Sequence, residues 1–298
     1  MDAELDLAAF AGLGAVVGVS QHGKRSMAAT GVAVDAPFRI ASLSKTFTAA
    51  ATVRALQDKG FALQAPVADI LPELDTALTV EQVLAQSTGL KQTVAAATVA
   101  ALGEGDEVFL EAAKLVIAGG QEYPPGDRWS YYNGNYFLAG ALLTRLTGET
   151  FEEGLAKLTS AAGLMATGFT APESSAGAAY PRARRPSGGL WSTVPDLLSF
   201  CEFLLRDKGL LGEISTPRVW TPLAYGLAWA VGPAGMLYLN GRLPGYRAAM
   251  LLSPGDEWAA AMLVNDTDAL PAIAEYLDGL QRPLTGVPMA GLIDRFAA

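Results

Sequence analysis

Residues 38–47 read Phe-Arg-Ile-Ala-Ser-Leu-Ser-Lys-Thr-Phe, and this stretch carries the strongest indication of both fold and chemistry in the chain. A helical stretch runs from about Ser42 to Lys59, and its residues 46–53 are nearly apolar on every face, which predicts a buried helix. Residues i and i+3 share a helix face, so the Lys45 amine is expected to reach the Ser42 hydroxyl. A serine becomes a strong nucleophile beside a base, and burial makes a lysine amine such a base. In the alternative interpretation, Ser42 caps the helix and Lys45 lies on the surface.

The segments that flank this stretch differ in their periodicity. Residues 13–34 contain two strand-like runs that turn at His22-Gly23, which predicts a β-hairpin. Residues 60–190 show helical patterns separated by loops. Capping boxes that begin at Thr79 and Thr150 mark two helix starts in this region.

The last third of the chain returns to strand patterns and ends in a helix. We predict strands over residues 225–231, 236–239, 246–252 and 258–264, and a helix over about 270–280. Strands at both ends with helices between them predict an α+β fold. In this arrangement one antiparallel sheet, built from both termini and flanked by helices, carries an inserted helical domain. We place the sheet domain at 1–60 and 186–298 and the inserted helical domain at 61–185.

Tyr131-Tyr132-Asn133 supplies a second motif, Tyr-x-Asn. In a loop, residues i and i+2 can present a phenol and an amide to the same cleft. The phenol is suited to relay a proton, and the amide to hold a lysine amine or a substrate carbonyl. Tyr238-Leu239-Asn240 fits the same pattern, so a loop aromatic packed on the core is the alternative interpretation.

Asn240-Gly241-Arg242 lies beside a predicted strand. A glycine there permits close approach of a ligand to the backbone. The backbone N–H of Arg242, together with that of Ser42, is a candidate pair of oxyanion donors. The alternative is an ordinary turn between strands.

The composition excludes several classes of protein. The formal net charge is −9, from 30 acidic and 21 basic residues, whereas a nucleic-acid binder normally has a surplus of basic residues. We interpret the short basic cluster of Arg182, Arg184 and Arg185 as a solvated or substrate-side loop. One cysteine, Cys201, and one histidine, His22, leave no intramolecular disulfide and no cluster for a metal site. We predict that Cys201 is a buried apolar residue.

No segment is typical of a membrane-spanning helix, and the acidic N-terminus of residues 1–6 is not a signal peptide. We therefore expect a soluble protein, cytoplasmic unless a leader has been removed. The apolar residues of the 282–298 tail are expected to pack back on the domain or to contact a partner.

The three motifs occur in the order of a known family. Ser42 to Lys45, Tyr131 to Asn133 and Leu239 to Gly241 are spaced by 89 and 108 residues (131 − 42 and 239 − 131). This pattern resembles that of class C β-lactamases, DD-peptidases and their esterase relatives, and a related set occurs in class A β-lactamases and penicillin-binding proteins. The likeness runs from about residue 14 to residue 265. It includes the segments 86–90, 125–126, 188–193 and 225–229.

The resemblance implies an active site in the cleft between the sheet domain and the helical domain. It also implies an acyl-enzyme mechanism that requires no metal or organic cofactor. Ser42 is then the nucleophile, and Lys45 and Tyr131 handle its proton. The substrate-binding positions that the resemblance implies are Asn133, Asn240, Gly241 and Arg242.

Leu239 departs from the family pattern, which usually has Lys, His or Trp at the start of its third motif. The cation that attracts a substrate carboxylate is therefore missing there. Arg242, Arg247 or the 182–185 loop is the expected replacement, because guanidinium binds carboxylate well. Gln86 in place of the family's histidine is expected to be a lesser change.

The apolar Leu239 favours a hydrolase of small esters or amides. A β-lactamase, or a D-amino-acid carboxypeptidase or aminopeptidase, is the second interpretation and needs an arginine as the carboxylate anchor. An acyltransferase and a catalytically silent binding protein are the remaining alternatives. In each enzymatic case the expected partner is a small-molecule ester, amide or β-lactam.

Overall fold

The computed structural model describes residues 5–171 and 180–295 and is built around an antiparallel sheet. Its strands are β1 (Ala15–Gln21), β2 (Lys24–Thr30), β3 (Phe38–Arg39), β4 (Trp191–Ser192), β5 (Ala230–Val231), β6 (Leu237–Leu243), β7 (Tyr246–Ser253) and β8 (Trp258–Val264). Six of them form the main sheet in the order β2-β1-β8-β7-β6-β5, and β3 pairs with β4 separately. Because β1 pairs with β8, the sheet joins the two ends of the chain. The predicted α+β fold is confirmed.

Helices flank this sheet and fill the middle of the chain. Their bounds are α1 (Ser44–Lys59), α2 (Val67–Ile70), α3 (Val80–Leu84), α4 (Ala96–Ala100), α5 (Val108–Ala118), α6 (Asn133–Thr147), α7 (Phe151–Ala161), α8 (Arg185–Gly188), α9 (Val194–Arg206), α10 (Lys208–Ser215), α11 (Leu270–Thr285) and α12 (Ala290–Arg295). Helix α9 packs directly on β1, because Gly18 has no side chain: a Cβ there would lie 2.6 Å from Val194 Cγ1. Helix α1 packs against α6, α7 and α8.

Local signals in the sequence agree with the structure at three places. The β1–β2 hairpin turns at His22 and Gly23, which both have positive φ, as a two-residue hairpin turn requires. Thr79 and Thr150 each begin a helix with a complete capping box. These predictions are confirmed because each depends on residues that are neighbours in the chain.

The start of α1 differs from its prediction. The helix begins at Ser44 rather than at Ser42, because Ala41 has a φ of 48° and residues Ala41–Leu43 form a 3₁₀ turn. Ser42 makes no side-chain capping bond in this turn, and Lys45 is completely buried. The alternative of a capping serine and a surface lysine is therefore wrong.

The C-terminal strands and the tail also show differences. Strand β5 covers only the end of the predicted run 225–231, because Ala228 has a φ of 68° and bends the chain before it. Helix α11 continues to Thr285, where Gly286 ends it in the left-handed conformation. The tail packs back on the domain through Met289 and Ile293, which are both buried.

Within residues 5–171 and 180–295, no helix is long and apolar enough to cross a membrane. Residues 1–4 of the acidic N-terminus lie outside the described residues. The division into a sheet domain (1–60 and 186–298) and a helical domain (61–185) stays a prediction.

Candidate active site

Three side chains converge on one point where the 3₁₀ turn precedes α1. The Ser42 Oγ lies 2.5 Å from the Tyr131 hydroxyl, and Lys45 Nζ donates to Ser42 Oγ at 3.1 Å and to the Tyr131 hydroxyl at 2.7 Å. Ser42 and Tyr131 are partly exposed, whereas Lys45 is buried. The structure thus brings together all three catalytic candidates and leaves the serine accessible to a small molecule.

Lys45 is held in a fully buried position. Besides its two hydroxyl partners, its Nζ donates to the Ser187 carbonyl at 2.6 Å, and no carboxylate lies within 4.0 Å among the described residues. Burial lowers the pKa of Lys45 well below its usual 10.5, and the positive charge of Arg184 lowers it further. A lysine in this state is able to act as a base toward Ser42.

Tyr131 is the second proton-handling candidate. Burial raises the pKa of its phenol above the ordinary 10, and the hydrogen bond with Ser42 opposes this rise only in part. The phenol is therefore neutral at physiological pH. A neutral hydroxyl between an amine and a serine can accept one proton while it donates another, so it is suited to be a relay.

Gln86 fixes the loop that carries Tyr131. Its backbone carbonyl accepts from Ser130 N at 2.9 Å, and its side-chain oxygen accepts from Tyr132 N at 3.0 Å and from Asn135 Nδ2 at 2.7 Å. Gln86 is fully buried with a φ of 56°. It therefore holds the residues on both sides of Tyr131. The family resemblance drew attention to Gln86, but Asn135 was missed, and no motif in the sequence singles it out.

Gly241 brings strand β6 against the candidate nucleophile. A Cβ at this position would lie 2.4 Å from the Ile40 carbonyl oxygen and 3.0 Å from Ser42 N. Both neighbours are backbone atoms, so only glycine fits without displacement of the Ser42 turn.

The N–H of Arg242 points out of the β6–β7 pair. Leu243 and Tyr246 close the hairpin, so the next pair, Arg242 with Arg247, is of the type whose N–H groups face away from the partner strand. On that side β5 reaches only to Tyr238 along β6. The Arg242 N–H thus lies on the open side of β6, one residue from the contact between Gly241 and the Ser42 turn.

Two asparagines predicted to contact substrate are placed differently. Asn133 lies beside the Tyr131 hydroxyl, with its Oδ1 at 3.4 Å, and its side chain is exposed. Asn240 is buried, and its Nδ2 donates to the Ile293 carbonyl at 2.7 Å. Successive strand residues face opposite sides. Gly241 faces Ser42, so the Asn240 side chain faces away and does not line the site.

The arginines predicted to replace the missing cation differ in their ion pairing and in their exposure. Arg182 and Arg185 form ion pairs, with Glu104, Asp106 and Glu152, so their positive charge is already balanced. Arg247 is buried and donates to the Thr267 carbonyl. Arg242 is exposed, and Arg184 is half-buried near Lys45.

Metal-binding side chains are not grouped in this protein as far as the structure describes it. No set of three or more His, Cys, Asp or Glu residues within residues 5–171 and 180–295 is close enough to hold an ion. Cys201 is buried, as predicted, and burial raises the pKa of its thiol to about 12. A thiol in this state is a poor nucleophile.

The buried lysine gives protein stability a pH dependence of definite sign. Between its lowered pKa and 10.5, the unfolded chain binds a proton at Lys45 that the folded protein does not. The contribution of Lys45 to the free energy of unfolding therefore rises with pH in this window, by at most about 1.4 kcal/mol per pH unit. We expect the free energy of unfolding of wild type, minus that of Lys45→Met, to become more positive between pH 7 and pH 9.

Urea denaturation at several pH values measures this difference. Lys24→Met, at an exposed position on β2, corrects for the loss of one positive charge from the chain. A Lys45 difference that stayed constant or fell over this range would mean that the folded protein keeps the lysine charged.

Comparison with known proteins shows the family of this chain. A family model described as Beta-lactamase matches residues 7–280. Penicillin-binding protein 4 of Amycolatopsis lactamdurans is 27% identical over 195 residues, 62% of this chain and 49% of that protein. Protein flp of Staphylococcus aureus (strain COL) is 19% identical over 280 residues, 81% of this chain and 55% of that protein. The chain thus spans about half the length of the curated relatives that it matches.

Solved structures show the same fold at low identity. A D-stereospecific amidohydrolase from Streptomyces sp. superposes with a TM-score of 0.74 and 23% identity, over 95% of this chain and 97% of that chain. A penicillin-binding protein homologue from Pyrococcus abyssi superposes with a TM-score of 0.77 and 20% identity, over 93% of this chain and 74% of that chain. A class C β-lactamase from Rhodobacter sphaeroides superposes with a TM-score of 0.71 and 17% identity, over 85% of this chain and 90% of that chain. Because the family model matches residues 7–280, which is most of this chain, the chain belongs to the β-lactamase family.

Proposed function

We propose that the protein is a serine hydrolase that cleaves a small ester or amide through an acyl-enzyme. The observation that carries the proposal is the contact of one accessible serine with both a buried lysine and a tyrosine hydroxyl. A serine with a purely structural role does not require a neighbouring amine of lowered pKa, whereas a serine nucleophile requires such a base.

The steps follow from the positions of the groups. Lys45, directly or through the Tyr131 hydroxyl, takes the proton of Ser42 while the serine oxygen bonds to the substrate carbonyl carbon. The backbone N–H groups of Ser42 and Arg242 stabilise the negative charge on the carbonyl oxygen. The proton then passes through Tyr131 to the leaving alcohol or amine as its bond to the acyl carbon breaks. Water adds to the acyl-enzyme by the reverse path and releases the acid. Asn133 orients Tyr131 and the bound substrate.

A second candidate function is hydrolysis of β-lactams or of peptides with D-amino acids. Related structures are described as a D-stereospecific amidohydrolase and as a β-lactamase/D-alanine carboxypeptidase. Against this stands Leu239, which is buried on the Gly241 face of β6 and offers no cation there. Acyl transfer to an acceptor other than water uses the same first half-reaction. A silent cleft that only binds its ligand is the non-enzymatic alternative.

Covalent trapping separates these functions. We expect one acyl group from a p-nitrophenyl ester or an acylating inhibitor on the intact protein, located by fragmentation on Ser42 within the tryptic peptide 40–45. We further expect kcat/KM to be higher for a short p-nitrophenyl ester than for nitrocefin. A preference for nitrocefin would favour the second function, and the absence of an adduct under any condition would favour the silent cleft. An added alcohol or amine that took the acyl group faster than water would identify a transferase.

A further inference from the structure

Two arginines beside the catalytic centre share one aromatic ring. The guanidinium carbons of Arg39 and Arg184 lie 5.6 Å and 5.1 Å from the centre of the Tyr180 ring. Arg39 also stacks on Trp191 at 4.6 Å. Planar guanidinium groups that stack on aromatic rings keep their N–H edges available for a planar anion. The three residues therefore form a cationic cluster with an aromatic wall, which we call the Tyr180 cluster.

No carboxylate of the described residues balances the charges of the Tyr180 cluster. In residues 5–171 and 180–295, neither Arg39 nor Arg184 has a carboxylate within 4.0 Å, whereas neighbouring Arg182 and Arg185 both do. Arg39 is only 9% exposed, and the one hydrogen bond described for its guanidinium is a 3.3 Å contact with the Gly189 carbonyl. A buried guanidinium without a counter-ion is costly, and a bound anion would remove that cost.

The Tyr180 cluster adjoins the nucleophile. Arg39 precedes Ser42 by three residues, on the strand that leads into the 3₁₀ turn. Gly188 leaves room for Tyr180, since a Cβ there would lie 2.7 Å from the Tyr180 hydroxyl and 3.7 Å from the Ala41 carbonyl carbon. Arg184 is in the segment whose Ser187 carbonyl holds Lys45, and its own carbonyl accepts from the Ser187 hydroxyl at 2.9 Å.

We propose that Arg39, Tyr180 and Arg184 form an anion-binding subsite that holds a carboxylate of the substrate. The subsite deepens and rests on the proposed hydrolase function, and it narrows the substrate to esters or amides that carry a carboxylate near the scissile bond. Guanidinium pairs with carboxylate through two parallel hydrogen bonds, and the tyrosine hydroxyl can donate a third. The subsite supplies, from a different part of the chain, the positive charge that Leu239 does not.

Matched substrates test the subsite and show which side of the scissile bond bears the carboxylate. The first pair is mono-p-nitrophenyl adipate and the same ester with its far carboxyl methylated, which places the charge on the acyl side. The second pair is 5-acetyloxy-2-nitrobenzoate and p-nitrophenyl acetate, which places the charge on the leaving group. All rates are corrected with Ser42→Ala. We expect the wild type to favour the charged member of one pair by about tenfold or more in kcat/KM.

Variants connect that preference to the cluster. Arg184→Gln is expected to lose most of the preference, and Tyr180→Phe a smaller part. Lys24→Gln, which removes an exposed positive charge on β2, should keep it. The ratio within a pair is the readout, because a change in the basicity of Lys45 affects both members alike. Arg184→Lys keeps the positive charge but lacks the two parallel N–H donors of a guanidinium group, so it should retain an intermediate ratio. The same variant shows whether the segment tolerates substitution.

The outcomes distinguish the two proposals. Ser42-dependent hydrolysis without a preference for either charged ester, or a preference that survives Arg184→Gln, overturns the subsite and leaves the hydrolase intact. No Ser42-dependent hydrolysis of any of the four esters overturns the hydrolase and the subsite together.

Discussion

Ser42→Ala is expected to lower hydrolysis of a short p-nitrophenyl ester by about 10⁴-fold or more, and the backbone oxyanion donors leave a small residual rate above the uncatalysed reaction. The Lys45 amine and the Tyr131 hydroxyl both contact the Ser42 oxygen. Removal of that oxygen therefore leaves the base and the proton relay without a nucleophile to deprotonate. The substitution deletes one partly exposed hydroxyl, so the melting temperature should change little.

Ser44→Ala is the matched control, two residues away. Its hydroxyl accepts from the backbone of Leu190 at 3.1 Å, in a fully buried position. Its loss leaves a buried N–H unsatisfied and is expected to cost about 1–3 kcal/mol of stability while turnover persists. Full turnover by Ser42→Ala, or loss of turnover by Ser44→Ala alone, would show that the nucleophile lies elsewhere.

Gly241→Ala is expected to lower kcat by about a hundredfold or more, although it removes no functional group. The new methyl group would clash with the Ile40 carbonyl oxygen and with Ser42 N. Both are backbone atoms, so relief of the clash must displace the Ser42 turn. A displacement of about 1 Å at a reacting group costs on this order. Overpacking between two backbone segments should also lower the free energy of unfolding by about 1–3 kcal/mol.

Gly279→Ala separates this steric effect from a general effect of replacing glycine. Gly279 is inside α11, and a Cβ there would meet no atom within 4 Å. Alanine costs less backbone entropy in a helix, so this variant should be more stable by about 0.5–1 kcal/mol with unchanged kcat. Steady-state kinetics and urea denaturation of both variants make the comparison. Unchanged kcat in Gly241→Ala would mean that β6 does not support the position of Ser42.

Several features of the fold depend on chain neighbours alone, and these were predictable. A capping box needs a threonine and a residue three positions later, and the turn of a hairpin needs a residue pair that accepts positive φ. The spacing of Ser42 and Lys45 likewise places both on one side of a helical turn, and it does so even though the 3₁₀ turn delays the start of α1. Short-range geometry of this kind hardly varies with the rest of the molecule.

Strand alternation follows from the sequence alone, and at β6 it contradicts the expectation that both Asn240 and Gly241 contact substrate. Leu239 and Gly241 share one face of a strand, and Asn240 must take the other. Which face meets the active site depends on where the strand lies in the sheet. The pairing of β6 with β7, and the position of α12 behind it, decide that Asn240 contacts the tail rather than a substrate.

The residue order along the chain therefore determined the motifs, the helix and hairpin signals and the α+β class. Only the tertiary structure decided that Lys45 is dehydrated, that Tyr131 reaches Ser42 from 89 residues away, and that Arg184 remains without a carboxylate partner among the described residues while Arg182 and Arg185 are paired. The physical reason is that burial and charge balance are sums over neighbours from distant parts of the chain. A proton affinity set by such sums cannot be read from the residues next to it.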